Sequence, residues 1–367
     1  MSGRKLKIAM FGHKHIPSRE GGVEIVVGEL CTRMAALGHE VVCYNRGGAA
    51  NERTYHGIRL KTVPTIRRKG LAAVTSSFFA AVAVAFSSAD VCHIHAEGPA
   101  FMSFLPKLFG KRVIVTIHGL DWQREKWKSG CGAAYIRWGE KMAVRFADEI
   151  IVLSENMQRY FLRQYGRKTH FIPNGITKPE IRPPAQITAQ FGLHGGEYIL
   201  FLGRLVPEKG IHYLIDAFAD TKTDKRLVIA GGSSDTDAYV ECLKRQASGD
   251  SRILFTGFVE GVLLEELYSN AYLYVLPSDL EGMPLSLLEA MSYGNCCLVS
   301  DIAECTEVVG DHGATFPKGN VQALRDTLQG LCDDRRMVEH YRETAGDYIC
   351  GKYDWDDLTE KTLELYR

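Results

Sequence analysis

Short apolar runs alternate along this chain with longer stretches in which apolar residues recur at helical spacing, the marks of buried strands and of helices with one buried face. In the first half, Leu6 to Gly12, Val41 to Asn45, Val91 to Ile94, Val113 to Ile117, Glu149 to Leu153 and Thr169 to Ile172 read as strands. Val23 to Leu37 reads as a helix stopped by Gly38. The pattern starts afresh in the second half, with strands predicted from Tyr198 and at Leu227 to Ala230, Ile253 to Gly257, Tyr272 to Leu276 and Cys297 to Ser300. One helical pattern begins at Tyr239, and another sets Leu285, Leu288 and Met291 on one face. Strands alternating with helices imply an α/β fold with mostly parallel sheets covered on both faces. Ligands of such sheets gather beyond the carboxyl ends of the strands.

The 367 residues, 46% of them hydrophobic, exceed one typical domain and suffice for two buried cores. Three prolines between Thr177 and Pro184 mark the boundary, giving domains over residues 1–180 and 181–352. Leu71 to Phe86, the longest apolar stretch, is broken by Thr75, Ser76 and Ser77 and falls short of the roughly 20 residues of a membrane span. A buried crossover helix is expected there. Ten cysteines without a Cys-x-x-Cys pair, and no secretory signal, point to reduced thiols in the cytoplasm. Adjacent Cys296 and Cys297 are expected to pack at the start of a strand rather than bind metal.

Zero formal charge hides a division. Residues 1–185 hold 28 Lys/Arg and 14 Asp/Glu, a net of +14, and residues 186–367 hold 16 and 30, a net of −14. The basic half therefore suits an anionic partner, a membrane surface, or the acidic half itself. Arg67 to Lys69, Lys107, Lys111, Arg112, Arg124, Lys126 and Lys128 are the basic residues expected at an anionic lipid surface, with Trp122 and Trp127 at headgroup depth. Nucleic acid is not expected, because the basic residues are scattered and no recognised module appears.

The stretch Asp279-Leu-Glu-Gly-Met-Pro-Leu-Ser-Leu-Leu-Glu-Ala-Met-Ser-Tyr-Gly294 concentrates the candidate chemistry. It reads as the loop and helix after the strand Tyr272 to Leu276, with Pro284 in the first helical turn. The N–H groups of Leu285 and Ser286 would then point out of a helix start, where phosphate binds. Glu281 and Glu289 flank that start, about 10 Å apart along a helix rising roughly 1.5 Å per residue. This spacing suits a nucleotide sugar, one carboxylate for sugar hydroxyls and the other for ribose. Further along the second half, Gly203-Arg204 and Lys209 supply the residue types that clamp a diphosphate, arginine by its planar fork and lysine as a point charge. Gly21 and Gly22 at a helix start allow close backbone approach, although no Gly-x-Gly-x-x-Gly occurs. Asp235-Thr-Asp237 has the spacing of a divalent-metal pair, but its Ser/Asp-rich turn before a helix is read as capping, so no metal or cofactor is expected.

Glu281-x7-Glu289 within Glu-Gly-Met-Pro…Leu-Glu-Ala-Met, together with Gly203-Arg204…Glu-Lys209-Gly, resembles the signatures of retaining glycosyltransferases of family 4, and the likeness covers nearly the whole chain. The resemblance implies the GT-B fold, two Rossmann-like domains with the ligand between them, the first serving the acceptor and the second the donor. Its closing helix, about residues 353–367 here, crosses back onto the first domain. By the same resemblance Glu281, Arg204, Lys209 and His118, in Thr-Ile-His118-Gly, are catalytic, His118 lying against the donor sugar. Gly21, Gly22, Gly203, Gly282, Met283, Leu285, Ser286 and Glu289 bind the donor, and Asp121 and Arg124 are candidates for the acceptor. His93 is read as structural. The function implied is transfer of a sugar from a nucleoside diphosphate sugar to a hydroxyl of a glycan or lipid-linked acceptor. That reading places the protein in capsule, exopolysaccharide or lipopolysaccharide assembly, in the cytoplasm and peripheral to the cell membrane. Family members use front-face attack, with the leaving phosphate taking the acceptor proton, which fits the lack of a clear general base. An epimerase or hydrolase of the same fold, or a non-catalytic nucleotide-sugar-binding protein, is the alternative.

Overall fold

The computed structural model describes residues 4–47, 54–66, 68, 70–124, 131–234 and 236–367, apart from the side chain of Cys131. The chain divides into two compact units, Met1–Gly175 with Trp355–Arg367, and Ile176–Asp354. Arg67, Lys69, Lys126, Trp127, Lys128 and Asp235, each singled out above, lie outside the described residues.

The first unit is built on eight strands: β1 (Lys7–Phe11), β2 (Glu40–Arg46), β3 (Thr54–Tyr55), β4 (Ile58–Val63), β5 (Val91–His95), β6 (Arg112–Ile117), β7 (Glu149–Val152) and β8 (His170–Phe171). They lie in the order β3-β4-β2-β1-β5-β6-β7-β8, parallel throughout except for β3 against β4. Ile8 pairs with Val41 on one side and Val91 on the other, which sets the register of the centre. β5 is buried at every position, as expected of a strand covered on both faces. The β3–β4 hairpin has no counterpart in the apolar pattern, because β4 is largely exposed and the turn is carried by positive φ at His56 and Gly57.

The expected buried helix does form over Leu71–Ala85, but only one face is buried. Ser76, Ser77, Ala80, Ala81 and Val84 face the sheet, whereas Leu71, Phe78, Phe79 and, just beyond the helix, Phe86 are exposed. The closing helix Trp355–Glu364 belongs to the first unit. Arg33 ties it down through Asp356 at 2.8 Å, and Tyr366 places its hydroxyl 2.6 Å from His93 Nδ1.

Six strands form the second unit: β9 (Tyr198–Leu202), β10 (Arg226–Ala230), β11 (Ile253–Gly257), β12 (Leu273–Leu276), β13 (Cys296–Ser300) and β14 (Ala314–Phe316). Their order, β11-β10-β9-β12-β13-β14, is that of a Rossmann sheet, and every pair is parallel. The proline-bearing segment near residue 180 is part of this unit. Arg182 pairs with Glu265 and its N–H donates to Ser269 Oγ at 3.0 Å, while Glu266 accepts from the N–H groups of Ala185 and Ile187. The division therefore falls at Gly175, before the prolines, and Ile176 bridges to Asp354 within the second unit.

In each sheet the strand order reverses direction once, between β1 and β5 and between β9 and β12. A crevice opens at such a point because successive crossovers leave to opposite faces, and ligands bind beyond the carboxyl ends of the strands there.

Candidate active site

At the second unit's reversal point the chain leaves β9 through Gly203 and Arg204 and leaves β12 through Pro277 and Ser278. Three backbone approaches hold these loops together. Gly203 N–H donates to Ala230 O at 3.0 Å, Leu205 N–H to Gly232 O at 2.9 Å, and Asp279 N–H to Glu208 O at 2.8 Å. Gly210, at φ +66°, presses so closely on the strand-end loop that a Cβ there would lie 2.0 Å from Pro277 O.

This junction brings Lys209 and Glu281 together. Lys209 Nζ lies 2.6 Å from Glu281 Oε1, with side chains only 11% and 8% exposed. Ser278 Oγ donates to the same oxygen at 2.6 Å, and Ser300 Oγ in turn holds the Ser278 carbonyl. Removing two charges from water is costly unless each is matched, so the ion pair and the serine hold Glu281 fixed in this position. Arg204 stands half-buried directly after β9.

The helix Leu285–Ser292 follows as expected, shifted by one residue at its start. Pro284 is the cap residue, with extended ψ of 99°, rather than a member of the first turn. No side chain caps this end, and the first N–H bonded within the helix belongs to Leu287. The N–H groups of Leu285 and Ser286 precede that bond and carry the positive end of the helix dipole. Tyr274, on β12, donates to Ser286 Oγ at 2.9 Å, and burial pushes its hydroxyl well above the ordinary tyrosine range, so it remains a donor. Tyr268 OH lies 3.1 Å from Glu289 Oε2 and 3.2 Å from the Ser286 carbonyl, which orients the second carboxylate. Met283 is buried and Gly282 half-buried in the same loop. Tyr268, Tyr274 and Ser278 were not singled out from the sequence, where tyrosines inside apolar runs read as core.

The first unit gathers histidines at its own reversal point. His118 follows β6, and its Nε2 lies 3.0 Å from His95 Nδ1 at the end of β5. Burial, with Arg124 adding to it, lowers His118 to about 3, and burial lowers His93 to about 3 as well, so both rings are neutral at pH 7. His93 sits between Tyr366 OH and Thr116 Oγ1 at 2.6 and 2.7 Å, a structural position. His13, after β1, donates from Nε2 to Asn45 Oδ1 at 2.9 Å, and Asn45 also clamps Ile16 through its N–H and carbonyl. Gly12, at φ +114°, makes this closeness possible, since a Cβ would fall 2.1 Å from His95 O.

Asp121 and Arg124 form an ion pair at 3.0 Å on the loop after His118. Buried Glu97 fixes that loop by accepting from Asp121 N–H at 2.7 Å. Burial first, then the charge of Asp121 and the hydrogen bond to Glu140, hold the Glu97 carboxyl well above the usual range. Glu140 in turn accepts from Tyr160 OH at 2.8 Å.

Two expectations are corrected by these contacts. Trp122 is not free to reach lipid headgroups, because Arg137 stacks on its ring at 4.2 Å and its Nε1 is buried. Gly21 and Gly22 start the helix Gly22–Ala36 as expected, and the Glu24 carboxylate lies by that start, 2.3 Å from where a Gly21 Cβ would be, accepting from Lys14 N–H at 2.7 Å. Asp237 does not cap the helix Asp237–Ala247 but is its first residue, and the cap is Thr236, whose hydroxyl donates to Leu205 O at 2.7 Å. Among the described residues, no group of three or more His, Cys, Asp or Glu side chains is arranged to hold a metal ion.

The family description "Glycosyltransferase Family 4" matches residues 20–178, and "Glycosyl transferases group 1" matches residues 186–347. This chain is a family 4 glycosyltransferase of the GT-B fold. It is similar to alpha-maltose-1-phosphate synthase of Mycolicibacterium smegmatis, at 25% identity with 99% of each chain covered. Among solved structures it is similar to sucrose-phosphate synthase of Thermosynechococcus elongatus, with a TM-score of 0.85, 23% identity and coverage of 99% of this chain and 98% of that one. Anabaena HepE, solved with UDP and glucose, is also similar, with a TM-score of 0.82, 18% identity and 98% of each chain covered. As a GT-B glycosyltransferase, the chain carries its acidic and cationic cluster in the unit matched by the group 1 description.

Proposed function

We propose that this glycosyltransferase takes its sugar from a nucleoside diphosphate sugar, retains the anomeric configuration, and delivers it to a hydroxyl of a glycan or lipid-linked acceptor. The observation that carries the reading is the junction of Arg204, the Lys209–Glu281 pair, the uncapped start at Leu285 and the Tyr268-held Glu289, all beyond the carboxyl ends of β9 and β12. HepE, solved with UDP and glucose, supports the donor class.

On this reading the diphosphate sits at the helix start between Arg204 and Lys209. The lysine has three N–H donors, so it serves Glu281 and a phosphate oxygen together. Glu281 accepts from sugar hydroxyls, Glu289 from the ribose, and His118 contacts the transferred sugar. The bond from the anomeric carbon to the leaving phosphate breaks as the acceptor oxygen attacks from the same face, and the acceptor proton passes to the phosphate. Preorganised positive charge at the leaving group supplies the electrostatic stabilisation that is usually the largest catalytic term. Asp121 and Arg124, on the loop braced by Glu97, serve the acceptor. The net +14 of residues 1–185 supports an acceptor held at an anionic surface.

A thermal-shift screen over nucleoside diphosphate sugars tests the donor, since a ligand bound to the folded state stabilises it by mass action. The hit is then incubated with candidate acceptors, and the anomeric configuration of the product is read by proton NMR. Stabilisation by at least one such donor and an unchanged configuration are expected. Turnover should persist in EDTA, because Arg204, Lys209 and the helix end supply the positive charge. An inverted product would refute retention, and loss of turnover restored by Mg²⁺ or Mn²⁺ would refute the metal-independent reading.

A further inference from the structure

We infer that the helix Leu71–Ala85 is the face by which the first unit docks, in the plane of the interface, on a bilayer containing anionic phospholipid. This helix carries no charged residue, and its buried face is already satisfied by the sheet. At 100° per residue, Leu71, Thr75, Phe78, Phe79, Val82 and Phe86 fall within an arc of roughly 100°, the width of stripe that a helix normally turns toward a core. Here that stripe meets solvent. Phe78 is 46% exposed, Phe79 40% and Phe86 73%.

The patch continues beyond the helix at both ends. Ile66 is exposed beside its first turns, where the Ile66 N–H donates to Thr75 Oγ1 at 3.1 Å. Phe86 packs edge-on against Phe109 with centroids 4.7 Å apart, and exposed Leu108 extends the surface. Single exposed apolar residues are common, but a contiguous run of this size marks an interaction surface.

Charge selects the partner. Residues 54–120 contain eight Lys/Arg and only two acidic residues, Asp90 and Glu97. Glu97 is buried, and Asp90 is engaged by Arg4 at 3.0 Å and the Lys7 N–H at 2.8 Å. Exposed Arg68 stands directly before the helix, and Lys111 anchors on the Ser87 carbonyl directly after it. An apolar stripe on a helix without charge, with Arg68 before it and Lys111 after it, matches the boundary between acyl chains and anionic headgroups. A second copy of the chain would instead bring the same positive charge against itself. Neither the donor site nor the chemistry proposed above is needed for this inference.

The test is co-sedimentation of the full chain with vesicles of pure phosphatidylcholine or of phosphatidylcholine with phosphatidylglycerol, at low and high salt. The chain should pellet with the anionic vesicles and much less with the neutral ones, and salt should weaken the binding. Phe78→Glu with Phe79→Glu should lower partitioning at least about tenfold, because both rings leave the acyl boundary and two negative charges enter. Both positions are exposed, so thermal unfolding should be little changed, and Phe258→Glu on the second unit, equally exposed, should leave binding intact. Recovery in the supernatant with both vesicle types at low salt overturns the proposal, as does binding that the double variant leaves unchanged. A concentration-dependent dimer in sedimentation velocity that the double variant dissolves, without vesicle binding, assigns the face to a second copy and also overturns it. Donor-induced thermal shifts, measured on the same samples, report the catalytic reading separately.

Discussion

At the scale of single residues, the Lys209–Glu281 pair decides how the site behaves. Both groups are nearly buried, so removing one leaves the other without its partner in a low-dielectric junction. Lys209→Met should therefore destabilise the protein by about 3 kcal/mol, more than the double variant Lys209→Met with Glu281→Gln, in which neither charge remains. Urea unfolding of the four members of this cycle measures the coupling, and additive losses would mean that the pair is not a unit. For turnover, Glu281→Gln and Arg204→Ala should each cost roughly 10²–10³-fold, the usual effect of losing one preorganised electrostatic contact. Near-parental transfer by either folded variant would remove it from the machinery. The sequence shows both members of the pair through their motifs, but not that they touch, because the contact joins residues 72 apart and leaves no trace in periodicity. Glu97 escapes for a related reason, since a carboxyl whose titration is raised by burial looks, as a letter, like any charged surface residue.

At the scale of elements, parallel strands buried on both faces are the most legible feature, and β1, β5, β6, β9 and β12 lie where their apolar runs place them. The β3–β4 hairpin is invisible because its stability comes from a two-residue turn rather than from an apolar face. Leu71–Ala85 is legible as a helix but not as an exposed one, because an apolar composition does not say whether the second face is covered. The reversal point of the second sheet depends on glycine in a way that can be measured. Gly231, at φ +143°, ends β10 against the loop after β9, and a Cβ there would sit 1.8 Å from Gly203 O. Gly231→Ala should displace Gly203 and Arg204, lowering stability by about 2 kcal/mol through backbone strain and overpacking, and lowering transfer with it. Gly249→Ala, with nothing within 4 Å and no positive φ, is the matched control and should be close to neutral. Equal melting temperatures for the two variants would show that the junction tolerates a side chain.

At the scale of the whole molecule, acid acts on the first unit through a cluster of buried histidines. The first unit buries His13, His93, His95 and His118 around its reversal point, and burial is the leading cause by which each is lowered, to about 4 for His13, to about 3 for His93 and His118, and well below the ordinary value for His95. An unfolded chain takes up protons at these imidazoles near pH 6.5, whereas the folded unit does not until its lowered values are reached. The stability they confer is therefore fully present above about pH 6.5 and is lost as the pH falls toward 4, at up to roughly 1.4 kcal/mol per pH unit for each ring. Glu97 works in the opposite sense, since its raised value favours the folded state below about pH 4.5 and that contribution is lost as the pH rises. Four imidazoles outweigh one carboxyl, so the net effect of acid is destabilising. All four tryptophans, at 122, 127, 138 and 355, belong to the first unit, so intrinsic tryptophan fluorescence follows that unit alone. The fluorescence-detected melting temperature should fall from pH 7 to pH 5. His13→Asn, which removes one of the four rings while leaving a neutral hydrogen-bonding side chain, should make that fall shallower. A fluorescence midpoint that does not move between pH 7 and 5 would mean that the buried histidines gain their protons without unfolding the unit that encloses them.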